Sequence, residues 1–429
     1  MQLTDTIIDV TFILLHFLLF LINFKIMHKK LMHPGVIFSL LWFCILLLRL
    51  IFSLTILDEL FPLSISTYLI FFVGALAFSF GAYVQTVIRQ KSTLLKINPK
   101  KISQIHETVI SLNLRYILVA IVIIGLPFYI KAAYRLFLIS NYENFFIGLR
   151  TELSYGEKDI GFVKYLFPFS MVVFTINMYS FLREKIRVNK ILFITSLIAL
   201  ITYTVFFTGR AAFLFILVLY FGMNYFYNKN FSFKKLSQVF LVFIIIFIFF
   251  GIIYGKGGNT DNTLKENIQP VAQTTAIYLV GSLNALEWEL NHQYRISYNG
   301  YNSLRFFMRI GEELHIVSSA KVNELIMPFV FVPYPTNVYT VYSPYIKDFG
   351  RIYAWIIMAL VGFFQTFLYY KALEKKDIRF SVYYSFFLFP LLMTFFADQY
   401  FSLISYWIQI VVCIESILFI NKFFTAKKW

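Results

Sequence analysis

Shortages narrow the field before any motif is sought. Cysteine is nearly absent: the two residues, Cys44 and Cys413, both fall in apolar runs, which excludes a disulfide framework. Charged residues make up 14% of the 429, where a soluble domain carries about 25%. No glycine-rich loop ends in Lys-Ser or Lys-Thr. Gly255, Gly257 and Gly258 follow an apolar run and read as a flexible exit, not a phosphate cradle between strand and helix. There is no His-Glu-x-x-His, no Cys/His set with zinc spacing and no Asp-x-Asp pair, so the expected chemistry needs no metal, no nucleotide and no cofactor. The N-terminus, MQLTDTIID, is acidic where a cleavable signal would be basic. No solenoid period repeats, and the halves do not mirror each other as in many transporters.

What abounds is apolar. The chain is 59% hydrophobic and 20% aromatic, with mean hydropathy +0.72. Lipid tolerates no unpaired backbone, so the expected class is an all-α polytopic membrane protein forming one integral membrane domain over 1–429. Runs of about 20 apolar residues predict about 11 spans, at 7–27, 36–56, 64–88, 115–133, 162–182, 190–207, 211–228, 236–254, 352–373, 380–398 and 402–421. The formal charge of +16 is a topology signal. Six short connections carry about 23 of the 38 Lys and Arg and about 4 of the 22 acids, which places them on the cytoplasmic side. The N-terminus then lies outside and the C-terminus inside, and nucleic acid is excluded as a partner.

Two large extracytoplasmic loops remain, 134–161 and 255–351. Within the second, Pro270 to Trp288 is moderately apolar. A full span there would invert every later loop, so it reads as a surface-lying or re-entrant helix. The second loop ends in PFVFVPYPTNVYTVYSPYIKDFG, Pro328 to Gly350, directly before the span at 352.

The outer arginines are the candidate anion ligands. Arg210, in the hairpin FFTGRAAF, is placed to grip a lipid-linked phosphate with its planar fork, or else snorkels to the interface. Arg150 and Arg295 are loop arginines that bind substrate or pair with a nearby Glu. Arg305 and Arg309 are four apart and share a helix face, with Glu312 three beyond Arg309. That helix either touches substrate or lies on the membrane. For proton removal the candidates are His292, Glu287, Glu289, Glu312, Glu313, His315 and Asp348. Asp348 serves equally well as an anchor for the following span. Tyr334, Tyr339, Tyr342 and Tyr345, near Asn337, offer faces for sugar rings or an interfacial belt. Arg49 and Glu415 lie in spans at different depths and are expected to remain unpaired with each other.

The stretch PTNVYTVYSPYIKDFG resembles the signature of oligosaccharide repeat-unit polymerases, the O-antigen and capsular polysaccharide polymerase (Wzy) group. The turn Thr208-Gly209-Arg210 resembles a Thr-Gly-(Ser)-Arg turn of these polymerases and of O-antigen ligases, without its Ser. Ten residues separate Arg150 from Gly161, and fifteen separate Arg295 from Gly311. Both spacings resemble Arg-to-Gly patterns in the two large loops of the group.

The resemblance implies a metal-independent, GT-C-like membrane glycosyltransferase in a bacterial cytoplasmic membrane. Its substrates would be undecaprenyl-diphosphate-linked glycans, with a chain-length regulator and a flippase as further partners. In that reading Arg150, Arg210, Arg295 and Arg309 bind substrate with Asn337, Tyr339 and Tyr345. His292, Glu287 or Asp348 supplies the base. A flippase of the same lipid-linked sugar and an O-antigen ligase are the competing expectations.

Overall fold

The computed structural model describes residues 3–95, 109–156, 159–227, 264–292, 296–297, 299–318, 327–374 and 377–426, with Ile245 and Phe249. The helices in chain order are α1 Leu3–Ile26, α2 Pro34–Thr55, α3 Ile65–Leu95, α4 Leu112–Phe137, α5 Phe145–Tyr155, α6 Leu166–Arg183, α7 Arg187–Phe207 and α8 Arg210–Tyr227. They continue as α9 Leu264–His292, α10 Arg305–Glu313, α11 Tyr342–Phe349, α12 Arg351–Leu373, α13 Ile378–Leu392 and α14 Ile404–Ala426. A 3-10 turn, Gly161–Tyr165, precedes α6. A two-residue antiparallel ribbon, β1 Val330–Phe331 with β2 Pro335–Thr336, is the strand pairing among the described residues of an otherwise helical chain.

Among the described residues nine helices are long and apolar enough to cross a membrane, so the chain is a polytopic membrane protein. The expected span 236–254 lies mostly outside the described residues. The expected span 380–398 is replaced by α13, a 15-residue helix, followed by a turn. Beyond that turn Asp398 accepts from the backbone N–H groups of Tyr400 (2.9 Å) and Ser402 (2.9 Å), an arrangement that competes with helix there. Of the two expected arrangements of α9, surface-lying or re-entrant, burial speaks against the first. Every residue from Val280 to Glu287 is buried, so this part of the helix is enclosed by protein and not surface-lying.

The helices divide into two compact units. Unit 1 holds residues 1–104, 272–371 and 389–404; unit 2 holds 105–271, 372–388 and 405–429. In unit 1, α3 and α12 meet at backbone distance. A Cβ placed on Gly81 would fall 1.8 Å from Ala359 O, and one on Gly362 would fall 2.1 Å from Phe78 O. Each helix thus supplies one glycine to a reciprocal crossing, as small residues do where apolar helices pack in lipid. The unit also holds a buried ion pair. Arg49 Nη1 of α2 lies 3.0 Å from Asp9 Oδ2 of α1 and donates to Tyr68 Oη at 3.2 Å. Arg49 Nε donates to Asn284 Oδ1 of α9 (3.2 Å) and Nη2 donates to Phe61 O (2.8 Å).

In unit 2, Ser111 caps α4 by accepting from Leu114 N, and Asn144 caps α5 by accepting from Phe146 N and Ile147 N. Ala133 and Leu136 of α4 and Leu149 of α5 form a core cluster that also packs Phe206 near the end of α7. α7 stops at Thr208, whose φ of +57° turns the chain into α8. Glu415 is bound by Tyr383 Oη, which donates at 2.6 Å, and lies 3.4 Å from Arg379 Nε. Arg49 and Glu415 therefore each have other partners.

Candidate functional site

The C-terminal end of α9 carries three ionisable residues, Glu287, Glu289 and His292. Glu287 and Glu289 are buried there, and His292 is exposed. Glu287 Oε2 accepts from Ser64 N (3.0 Å) and Ser64 Oγ (2.9 Å), and its Oε1 accepts from Asn291 Nδ2 (2.8 Å). These bonds tie α9 to the turn before α3. Glu289 forms an ion pair with Lys347 of α11 and accepts from Ser343 Oγ at 2.5 Å. Ser343 and Lys347 are four apart and so share a face of α11. The Lys347 ammonium also lies 5.6 Å from the centre of the Tyr339 ring.

Asp348 is fully buried. Its carboxylate accepts from Asn302 N (3.1 Å), Asn302 Nδ2 (2.7 Å), Ser303 N (2.6 Å), Ser303 Oγ (2.6 Å) and Ser297 Oγ (3.3 Å). Those donors occupy its lone pairs and fasten the segment 297–303 to α11. A second buried carboxylate, Asp398, accepts from Tyr345 Oη at 2.7 Å and from Ser402 Oγ at 2.9 Å. Arg305 Nη2 donates to the same Ser402 Oγ at 3.0 Å. Burial draws the Arg305 pKa down, and the charges of Asp398 and Asp348 oppose that.

His292 stands apart from this saturated group. Its ring stacks on Trp288, centroids 4.9 Å apart at 15°, and its Nδ1 lies 2.9 Å from Trp288 O. A carbonyl only accepts, so Nδ1 carries the proton. In the neutral ring Nε2 then keeps a lone pair.

The expected substrate ligands divide. Arg150 lies half-buried on α5, and Arg210 is the buried first residue of α8; both belong to unit 2. Leu149 beside Arg150 and Phe206 near Arg210 pack in the same cluster, so α5 and the α7–α8 turn meet at one end of the unit. Arg295 lies outside the described residues. Arg309 is an exposed surface pair with Glu312 at 2.7 Å. Asn337 is half-buried after the ribbon.

Two of the expected substrate tyrosines are enclosed. Tyr345 is 0% exposed and hydrogen-bonds Asp398; Tyr339 is 5% exposed and donates to Pro328 O at 3.2 Å. Rings enclosed to this degree in the structure pack against protein and present no open face. Tyr342 is likewise buried, against Trp42 and Phe71.

Sequence reasoning missed the Asp9–Arg49 pair, although an acid and an Arg in two neighbouring apolar runs were a signal for it. It also missed Asp398. Among the described residues no group of three or more His, Cys, Asp or Glu is placed to hold a metal ion.

No family model matches the chain, and no solved structure matches it. Over 100 residues it is 31% identical to an Escherichia coli (strain K12) protein named "Putative O-antigen polymerase". The match takes in 23% of this chain and 24% of that protein.

Proposed function

We propose that this chain is a membrane glycosyltransferase that polymerises lipid-linked oligosaccharide repeat units into surface polysaccharide, O-antigen or capsule. The observation that carries the reading is the partial likeness to the Escherichia coli protein. The sequence stretch from Pro328 to Gly350 and the polytopic helical body agree with it.

In this reading the chain enters the bacterial cytoplasmic membrane with its N-terminus outside, and the reaction takes place at the outer face. The donor is a glycan on undecaprenyl diphosphate. The acceptor hydroxyl attacks the anomeric carbon, the bond from that carbon to the phosphate oxygen breaks, and the lipid diphosphate leaves. His292 Nε2 takes the hydroxyl proton, since it is an exposed base with a fixed tautomer. Arg150 and Arg210 are the diphosphate ligands, because a guanidinium pairs with phosphate oxygens through two parallel N–H donors. Arg295 is the third cation of this reading. Glu287, Glu289 and Asp348 position α9 and α11, since their oxygens are already occupied.

The test is the sugar ladder of a strain deleted for this protein and complemented with the wild type or with Arg210→Ala. Polymerase loss leaves single capped repeats that only the wild type extends. Loss of all surface sugar points instead to a ligase, and repeats trapped inside point to a flippase. Normal chain length from Arg210→Ala at equal protein level removes Arg210 from the mechanism.

A further inference from the structure

A groove of about 460 Å³ in unit 2 is lined by one side of α4 and by the segment leading into the 3-10 turn. Lys131 and Arg135 face it from α4, four residues apart, hence on one side of the helix. Both are exposed, and neither has an ion pair or hydrogen bond among the described residues. The acid nearest in the lining, Asp159, is engaged elsewhere: it pairs with Lys164 at 2.5 Å and accepts from Gly161 N at 2.7 Å. Lys164 holds the Asp159 carboxyl below its usual range, so the pair is neutral overall near pH 7. Two positive charges are left facing the groove.

The rest of the lining is apolar, including Phe128, Leu136, Ile139 and Val163. The surface around it is apolar too: Phe128 is 60% exposed, Leu138 62% and Phe162 84%. Lys131 lies six residues from the end of α4, about 9 Å along the helix. Cations in the last turns of a span reach headgroup depth while their stems stay in hydrocarbon. The site therefore pairs a dication with an apolar channel at the edge of the bilayer. An anionic headgroup on an acyl chain has that chemistry.

We propose that Lys131 and Arg135 bind the phosphate of an anionic membrane phospholipid, its first methylenes lying over Leu136 and Ile139. The groove lies beside exposed apolar side chains of α4; if that face meets lipid, bulk phospholipid there far outnumbers any carrier lipid, so mass action favours the former. Nothing in this assignment depends on the chain's catalytic activity.

Native mass spectrometry of the detergent-solubilised full chain, titrated with phosphatidylglycerol or phosphatidylcholine, tests it. Phosphatidylglycerol should bind preferentially. Lys131→Ala/Arg135→Ala should weaken that binding roughly thirtyfold, since each interfacial cation is worth about a factor of five to six. Lys131→Arg/Arg135→Lys should retain it. Both side chains are exposed, so the melting temperature of each variant should match the wild type. Equal binding of the two lipids, or undiminished phosphatidylglycerol binding by the double Ala variant, overturns the site. Displacement of phosphatidylglycerol by equimolar undecaprenyl phosphate overturns the choice of phospholipid.

Discussion

Removing one partner of the Asp9–Arg49 pair should cost more than removing both. Asp9 and Arg49 are 2% and 1% exposed, so water screens neither charge. Asp9→Asn keeps an acceptor for Tyr68 but leaves a buried guanidinium uncompensated, at about 3–5 kcal/mol. Arg49→Met leaves a buried carboxylate, at about the same cost. In the double variant no charge is buried. Phe61 O still receives Asn284 Nδ2 at 2.6 Å, so the chief loss is the donor to Asn284 Oδ1, about 1–3 kcal/mol. The double variant should thus be more stable than either single one, and below their sum by about 5 kcal/mol. Reversible unfolding by SDS in mixed micelles measures all three. A double variant whose loss equals the sum of the singles to within about 0.5 kcal/mol would refute the argument. Asn284 lies three residues before Glu287 on α9, so the single variants should also loosen the candidate site.

Gly81→Ala forces α3 from α12, because the new methyl would sit 1.8 Å from a backbone oxygen; a loss of about 1–3 kcal/mol should appear as a lower melting temperature in detergent. Asp348→Ala strands the donors of Ser297, Asn302 and Ser303, and a drop of more than about 3 kcal/mol in the same melt is expected. Tyr345→Phe removes one hydrogen bond to Asp398 and should cost about 1.5–3 kcal/mol, again read as melting temperature. His292→Ala touches an exposed side chain, so it should melt like the wild type yet slow chain extension by about a hundredfold or more in a reconstituted polymerisation assay.

The membrane body was legible because about 20 consecutive apolar residues have one solution in lipid. Where the pattern misled, polar side chains decided. Phe387 to Phe396 looks apolar enough to continue a span, but the helix ends at Leu392, and Asp398 gathers the backbone donors of the segment beyond the turn. Hydropathy has no term for that competition. Pro270 to Trp288 was ambiguous for a different reason. Its burial depends on what surrounds it, and residues such as Phe61 and Ser64, which hold it through Asn284 and Glu287, are more than 200 positions away. Tyr339, Tyr342 and Tyr345 were legible as part of a cluster but not as buried, since a polar-flanked aromatic suits both a sugar platform and a packed core.

Burial also sorts the candidate residues by what each is able to do. A carboxylate that already accepts four or more hydrogen bonds, as Asp348 does, must break them to take a proton, and its donors would then be left unpaired. Such a group is a poor base and a good fastener. Glu287 and Glu289 meet the same limit: one is filled by Ser64 and Asn291, the other by Ser343 and Lys347. His292 escapes it, because one ring nitrogen is spent on Trp288 O and the other is not. The buried carboxylates hold α9 and α11 in place, and in the proposed function the exposed imidazole at the end of α9 is the group that exchanges a proton with substrate.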